Sequence, residues 1–224
     1  MLNPNYKLVE RQSEPVNFIT MDDFISDDLA QTLYDEILTI PQIELDYAWG
    51  GEANNSVKKF YINDYSNFGN KKILSTLNWF NSMHCMTHLN RFLPLGNLIP
   101  DPLFNGGGVH ITYPGGTLRF HTDFTTPKMF NTKLKRISNL LIYLTPDYYS
   151  TNSGGELCFR NDNGEIYHSI ELKQSRAVYF ETNSTSVHGH PTPVQGEKPR
   201  VSIAFYYYVS PDDEFDVTRG ATWL

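Results

Sequence analysis

The stretch Val109-His-Ile-Thr-Tyr113-Pro-Gly-Gly116, with Phe120-His-Thr-Asp-Phe124 close behind it, sets the terms for the whole chain. A β-branched and aromatic run meets a Pro-Gly-Gly cluster, the pairing of signals expected for a strand and a turn. The texture recurs over 137–144, 156–159, 166–172, 177–181 and 201–209. Asn152-Ser-Gly-Gly, Asn161-Asp-Asn-Gly and Gln195-Gly-Glu-Lys-Pro punctuate these runs. Several short strands at such spacing indicate a sandwich or barrel rather than βαβ units.

Upstream of Gly106 the pattern differs. Residues 16–20 read as a short apolar strand. Ser26 is then a candidate N-cap, with Asp27 and Asp28 placed favourably in the first turn. Leu29, Leu33, Ile37 and Leu38 recur at helical spacing until Pro41. A second helix is expected over 70–92, with Ile73, Leu77, Phe80 and Met83 along one face and Pro94 as its stop. The expected fold class is therefore mainly β with flanking helices (α+β): a jelly-roll core buttressed by N-terminal helices. One domain over 1–224 is expected, with 1–105 as a helical and strand support and 106–210 as the core.

Composition excludes several classes. Among 224 residues, 40% are hydrophobic, enough for a packed core and too many for a disordered chain. Eighteen Lys+Arg against 25 Asp+Glu give a net charge of -7, which argues against a nucleic-acid partner. No apolar run approaches the length of a membrane span, and no secretory signal is visible, so a cytoplasmic location is expected. Cys85 and Cys158 are then expected as reduced thiols.

Candidate chemistry centres on His121 and Asp123. Alternate strand residues share a side, so both can aim into a barrel mouth. An imidazole and a carboxylate are two parts of the facial triad that holds non-haem Fe(II). A third ligand must come from a neighbouring strand, and Ser186-Val-His188-Gly-His190 offers two histidines that parity cannot separate. Arg200 opens the largely apolar run Arg200-Val-Ser-Ile-Ala-Phe. Pointing inward, it needs an anionic partner, and its planar fork suits a carboxylate.

The ordered set Tyr113-Pro-Gly-Gly, His121-Thr-Asp123, Leu140-Leu-Ile-Tyr143-Leu, Gly154-Gly-Glu-Leu, His188-Gly and Arg200-Val-Ser202 resembles the Fe(II)/2-oxoglutarate-dependent dioxygenases. Within them it is most similar to the prolyl 4-hydroxylase-like branch. The likeness covers about 106–209, and 18–38 also looks like the start of that branch. It implies a double-stranded β-helix core with His121, Asp123 and His188 as iron ligands. The Gly and Pro that follow favour His188 over His190. Arg200 would clamp the distal carboxylate of 2-oxoglutarate, with Ser202 beside it and Tyr143 hydrogen-bonded to the same group. Tyr113 and Asn139 would lie near the cosubstrate pocket.

The resemblance further implies Fe(II), 2-oxoglutarate and O2, with ascorbate as a candidate accessory. Succinate and CO2 would be released as a substrate C–H is hydroxylated, on a peptidyl prolyl or other peptidyl residue or on a small metabolite. The carboxylate of Asp123 favours hydroxylation, because halogenating relatives carry a small residue there. The alternative is a non-catalytic, cupin-like binding jelly roll, expected to have lost a ligand or the arginine. None is missing here.

Other features take plainer readings. His84 and His88 lie four apart on a helix without an intervening glutamate, and are read as surface or structural residues. His110 and His168 are read as scaffold histidines. The Tyr206-Tyr-Tyr run is read as strand packing with alternate rings on opposite sides. The segments 125–135 and 147–154 are candidate loops over the site.

Overall fold

A computed structural model of the chain describes residues 1–48, 55–62, 64–65, 68–101, 103–126, 134–146, 154–210 and 221–224. In chain order its elements are β1 (Lys7–Gln12), β2 (Phe18–Asp22), α1 (Asp27–Leu38), β3 (Asp46–Tyr47), β4 (Ser56–Tyr61), α2 (Lys71–Phe80), α3 (Met83–Leu89) and β5 (Ile99–Pro100). There follow β6 (Gly108–Thr122), β7 (Lys135–Tyr143), β8 (Leu157–Arg160), β9 (Ile166–Ile170), β10 (Ala177–Glu181), β11 (His188–His190), β12 (Arg200–Val209) and β13 (Thr222–Trp223). The strands join in the order β1-β2-β10-β7-β12-β6-β11-β8-β9, with β4 and β13 also on β6. This curled antiparallel sheet is the expected jelly-roll core, and helices are few.

The two faces of the central strands do different work, because side chains alternate with a period of two. On β12, Val201, Ile203, Phe205 and Tyr207 enter a large apolar core. On the other face, Arg200, Ser202, Ala204 and Tyr206 line an internal cavity. On β7, Leu140 and Ile142 join the same core, while Asn139 and Leu141 line the cavity. Thus Tyr206 and Tyr207 face opposite ways.

The helices cover the apolar face. Ala30, Leu33 and Ile37 of α1, and Ile73, Leu77 and Phe80 of α2, are fully buried in that core. The Ser26 hydroxyl accepts from the Leu29 N–H at 3.2 Å, as its N-cap position requires. The helix expected over 70–92 is instead two helices. Asn81 ends α2, and Ser82 starts α3 by accepting from the Cys85 N–H at 3.4 Å. In the sequence Met83 continues the spacing of Ile73, Leu77 and Phe80, which conceals the break, but Met83 is exposed and α3 buries Cys85, Met86 and Leu89 instead. A second cluster, with Phe18, Tyr143, Phe159, Val178 and Phe180, fills the sheet interior. Cys85 and Cys158 are free thiols. Among the described residues no helix is long and apolar enough to cross a membrane.

Asp22 ties β2 to the turn before β10. One carboxylate oxygen accepts from Arg176 Nε at 2.6 Å and the other from Lys173 Nζ at 2.8 Å. Burial would raise this carboxyl, but the hydrogen bonds and charges of Arg176 and Lys173 outweigh it and hold the pKa below its ordinary 3.8. A depressed folded-state pKa stabilises above the unfolded value and loses that stabilisation as pH falls through the folded value. Asp22→Asn is therefore expected to lose about 1.5–3 kcal/mol at pH 7 in urea unfolding, the range for hydrogen bonds to charged groups. The gap to the native protein should narrow as the medium is acidified below the ordinary carboxylate range.

Candidate metal centre and cosubstrate cavity

His121 and His188 face each other because β6 and β11 pair in that register. With Asp123 they are the one group of three potential metal-binding side chains found among the described residues, their ligand atoms all within 4.8 Å of one another. The backbone fixes both imidazoles. His121 Nδ1 lies 2.9 Å from the Arg119 carbonyl, and His188 Nδ1 lies 2.8 Å from that of Ser186. A carbonyl can only accept, so each Nδ1 carries the proton and each Nε2 keeps its lone pair. Those Nε2 atoms stand 3.8 and 3.7 Å from the Asp123 oxygens. Two imidazoles and one carboxylate, buried and converging, fit a divalent metal.

The carboxylate is held in turn. Asn139 Nδ2 donates to Asp123 Oδ2 at 2.8 Å, and an Arg136 guanidinium nitrogen lies 3.1 Å from the same oxygen. Asn139 also accepts from Arg136 Nε at 2.9 Å. The Arg136 guanidinium stacks 3.4 Å from the Tyr206 ring centroid and 4.6 Å from that of Phe124. Burial pushes the Asp123 carboxyl up, but Arg136, the two histidines and Asn139 bring it down to about 2. His121 is lowered to about 4, first by burial and then by His188. Near neutrality Asp123 is thus a carboxylate and His121 a neutral imidazole, the forms that bind metal.

The cavity above this cluster is lined by Arg200, Ser202, Lys59, His110 and His190, with Asn139 and Leu141. Arg200 Nε donates to the Gly155 carbonyl at 2.9 Å, and another of its nitrogens lies 3.2 Å from Ser202 Oγ. Gly154 makes that turn feasible: its φ is +67°, and a Cβ there would collide with the Pro193 carbonyl. The Tyr143 ring lies 5.0 Å from the Arg200 guanidinium carbon, and its hydroxyl is buried without a hydrogen-bond partner. An orphaned hydroxyl beside a buried guanidinium is the polar setting a carboxylate requires.

The structure brings together His121, Asp123, His188, Arg200, Ser202 and Tyr143. Asn139 lines the cavity as expected, with its side chain bonded to Asp123 and Arg136, whereas one other residue is displaced. Tyr113 is 37% exposed with its ring edge-on to Phe60, and it does not line the cavity. The cause is the loop of β6 at Tyr113-Pro-Gly-Gly116: Val57 and Lys59 of β4 pair with Thr117 and Thr112, leaving the intervening residues unpaired with β4. His84 and His88 lie on α3, with His88 Nε2 2.8 Å from the Tyr6 hydroxyl. His168 lies 3.2 Å from Glu10 at the far side of the sheet. Most of the candidate loops 125–135 and 147–154, namely 127–133 and 147–153, fall outside the described residues.

Sequence reasoning missed four contributors. Neither Arg136 nor Lys59 is singled out by the sequence, and His110 reads as scaffold. Trp223 of β13 pairs with His121, and its ring lies 4.8 Å from the imidazole.

Asn139→Ala is expected to weaken divalent metal binding about 10- to 100-fold, the usual effect of removing a group that orients a ligand. Mn(II) binding followed by electron paramagnetic resonance checks it; unchanged affinity would mean that Asn139 does not position Asp123.

Comparison with known proteins agrees with this geometry. Residues 107–208 match the family model of the 2OG-Fe(II) oxygenase superfamily. No curated protein matches the chain. Among solved structures, it resembles a prolyl-4-hydroxylase of Pseudomonas putida at 16% identity and a TM-score of 0.60, covering 88% of this chain and 95% of that one. A prolyl hydroxylase from Trichoplax adhaerens, in complex with a hypoxia inducible factor peptide fragment, gives 18% identity, a TM-score of 0.58 and coverage of 85% and 83%. HygX from Streptomyces hygroscopicus, with nickel and 2-oxoglutarate bound, gives 10%, 0.58, 92% and 91%. At such identities these likenesses establish the shared fold. The family match adds the chemistry, that of a dioxygenase using Fe(II), 2-oxoglutarate and O2. The region 107–208 is a 2OG-Fe(II) oxygenase domain, carried in a prolyl 4-hydroxylase-like fold.

Proposed function

We propose that this oxygenase hydroxylates a peptidyl prolyl residue, with His121, Asp123 and His188 as iron ligands. Arg200, Ser202 and Tyr143 would receive the distal carboxylate of 2-oxoglutarate. The observation that carries the site assignment is the coexistence, in one cavity, of the converging triad and a buried guanidinium lacking a carboxylate partner among the described residues. Prolyl specificity is supported by the prolyl hydroxylases among the structural neighbours.

Bound iron would supply oxygen activation coupled to decarboxylation of the 2-oxo acid, yielding succinate and CO2. The chain's own part is positioning. The Arg119 and Ser186 carbonyls orient the imidazoles, Asn139 and Arg136 orient Asp123, and Arg200 fixes the far end of the cosubstrate. Trp223 walls His121 on the side away from His188. Burial of the triad excludes bulk water from the reacting centre.

The test is incubation with Fe(II), 2-oxoglutarate and a proline-containing peptide library, reading succinate and a 16-dalton mass gain on proline. Asp123→Ala is expected to reduce both signals to background while leaving the circular dichroism intact. Arg200→Met should raise the 2-oxoglutarate KM by about 30-fold or more, as expected when one partner of a buried charge pair worth about 2–5 kcal/mol is removed. Succinate formation without any peptide gain would retain the oxygenase and sink the prolyl assignment.

A further inference from the structure

Arg200 is not the only cation in the cavity. Lys59 of β4, 4% exposed, lines it too. The sheet register explains why. Lys59 pairs with Thr112 from one side of β6, and Arg200 pairs with the same Thr112 from the other. Directly opposed residues share a face, so the two side chains enter the same space. Neighbouring strands lie about 4.8 Å apart, which puts the two Cα atoms about 10 Å apart. One carboxylate between them is within reach of both side chains.

Lys59 has no anion of its own. Its Nζ lies 2.6 Å from His110 Nδ1, while His110 Nε2 lies 3.1 Å from the Gly106 carbonyl. The carbonyl can only accept, so Nε2 carries the proton and Nδ1 accepts from the ammonium; the ring is neutral. Among the described residues neither Lys59 nor Arg200 pairs with a carboxylate, although six other Lys or Arg contacts to carboxylates are present. Thr112 Oγ1, between them in the row, is buried without a partner, as are the Tyr143 hydroxyl and both ring nitrogens of His190. Burial, and then the charge of Arg200, push the Lys59 pKa well below the usual lysine value, and an anion joining the two side chains would reverse that push and use the idle polar groups around them.

We propose that Lys59 is a second cationic anchor for the 2-oxo acid, so that the distal carboxylate is clamped between Arg200 and Lys59 and the cavity selects a dicarboxylic 2-oxo acid. This rests on the reading of the cavity as the 2-oxoglutarate pocket. A carboxylate has two oxygens, and each cation takes one. His110 serves as the neutral rest that holds the ammonium in place.

The experiment is calorimetric titration of Zn(II)-loaded protein with 2-oxoglutarate and with 2-oxovalerate, which has the same chain length but lacks the distal carboxylate. The native protein should bind 2-oxoglutarate more tightly. Lys59→Gln keeps a donor toward His110 without the charge; it should weaken 2-oxoglutarate about 10- to 100-fold, the range for losing a hydrogen bond to a charged group, and leave 2-oxovalerate within twofold. Lys59→Arg keeps the charge and should retain the preference. If Lys59→Gln binds 2-oxoglutarate as the native protein does while Arg200→Met does not, Lys59 is structural and the clamp is wrong. Loss of the preference in Lys59→Arg as complete as in Lys59→Gln also overturns it, since charge is then not the cause. Should the native protein itself fail to prefer 2-oxoglutarate, the cavity reading fails, and the clamp with it.

Discussion

The period of two on β12 is the constraint from which the rest follows. Val201, Ile203, Phe205 and Tyr207 belong to the core beneath the helices, so Arg200, Ser202, Ala204 and Tyr206 must face inward. A slip of one residue would drive Arg200 into the apolar layer and expel Val201, Ile203, Phe205 and Tyr207 from it, so the two faces fix the parity of the register. Since β6 and β7 flank β12, the same choice aligns His110 with Ser202 and Tyr143 with Ser202. The helices therefore position the site although they contribute nothing to it: by holding the outer face apolar, they fix what the inner face presents.

That inner face carries charge at a cost. Asp123 has Arg136 as its partner, a balance achieved before any metal arrives. Lys59 and Arg200 are left in surplus among the described residues. Burying such groups lowers stability, and the two-sided apolar packing of β7, β10 and β12 offsets it. Natural proteins tolerate strain of this kind where function needs it. The consequence is linkage: an anion that enters the cavity stabilises the folded state in proportion to its occupancy. Preorganisation for a ligand and instability without it are the same fact.

Much of this architecture is legible in the sequence, and the illegible parts share causes. The strands after residue 106 announce themselves through alternation and turn clusters. By contrast, β4 is silent, because Lys58 takes a positive φ of 49° and the strand bulges between Val57 and Lys59. Its Lys58-Lys59 pair therefore looks like solvated charge, although Lys59 is buried and Lys58 is not. β1 is mostly exposed, and β13 is two residues long; neither carries a core pattern. Arg136 is hidden for another reason. Its burial depends on Tyr206 and Phe124 lying on either side of the guanidinium, a contact between distant residues that no local pattern encodes.

The choice between His188 and His190 shows where sequence parity stops. Both lie on β11, both are buried, and both line the cavity, as two residues of one strand should. What separates them is the partner strand. His188 stands opposite His121, whereas a register shift sets His190 opposite Leu118. His188 is thereby given a second imidazole and Asp123, and its Nδ1 finds the Ser186 carbonyl. His190 receives none of these, and both of its nitrogens stay unpaired. Burial, then Arg200 and Lys59, keep it neutral. It is a polar wall beside the cationic row. A ligand is therefore defined by the register of its neighbour as much as by its own residue type, and that register becomes visible only when the sheet is assembled.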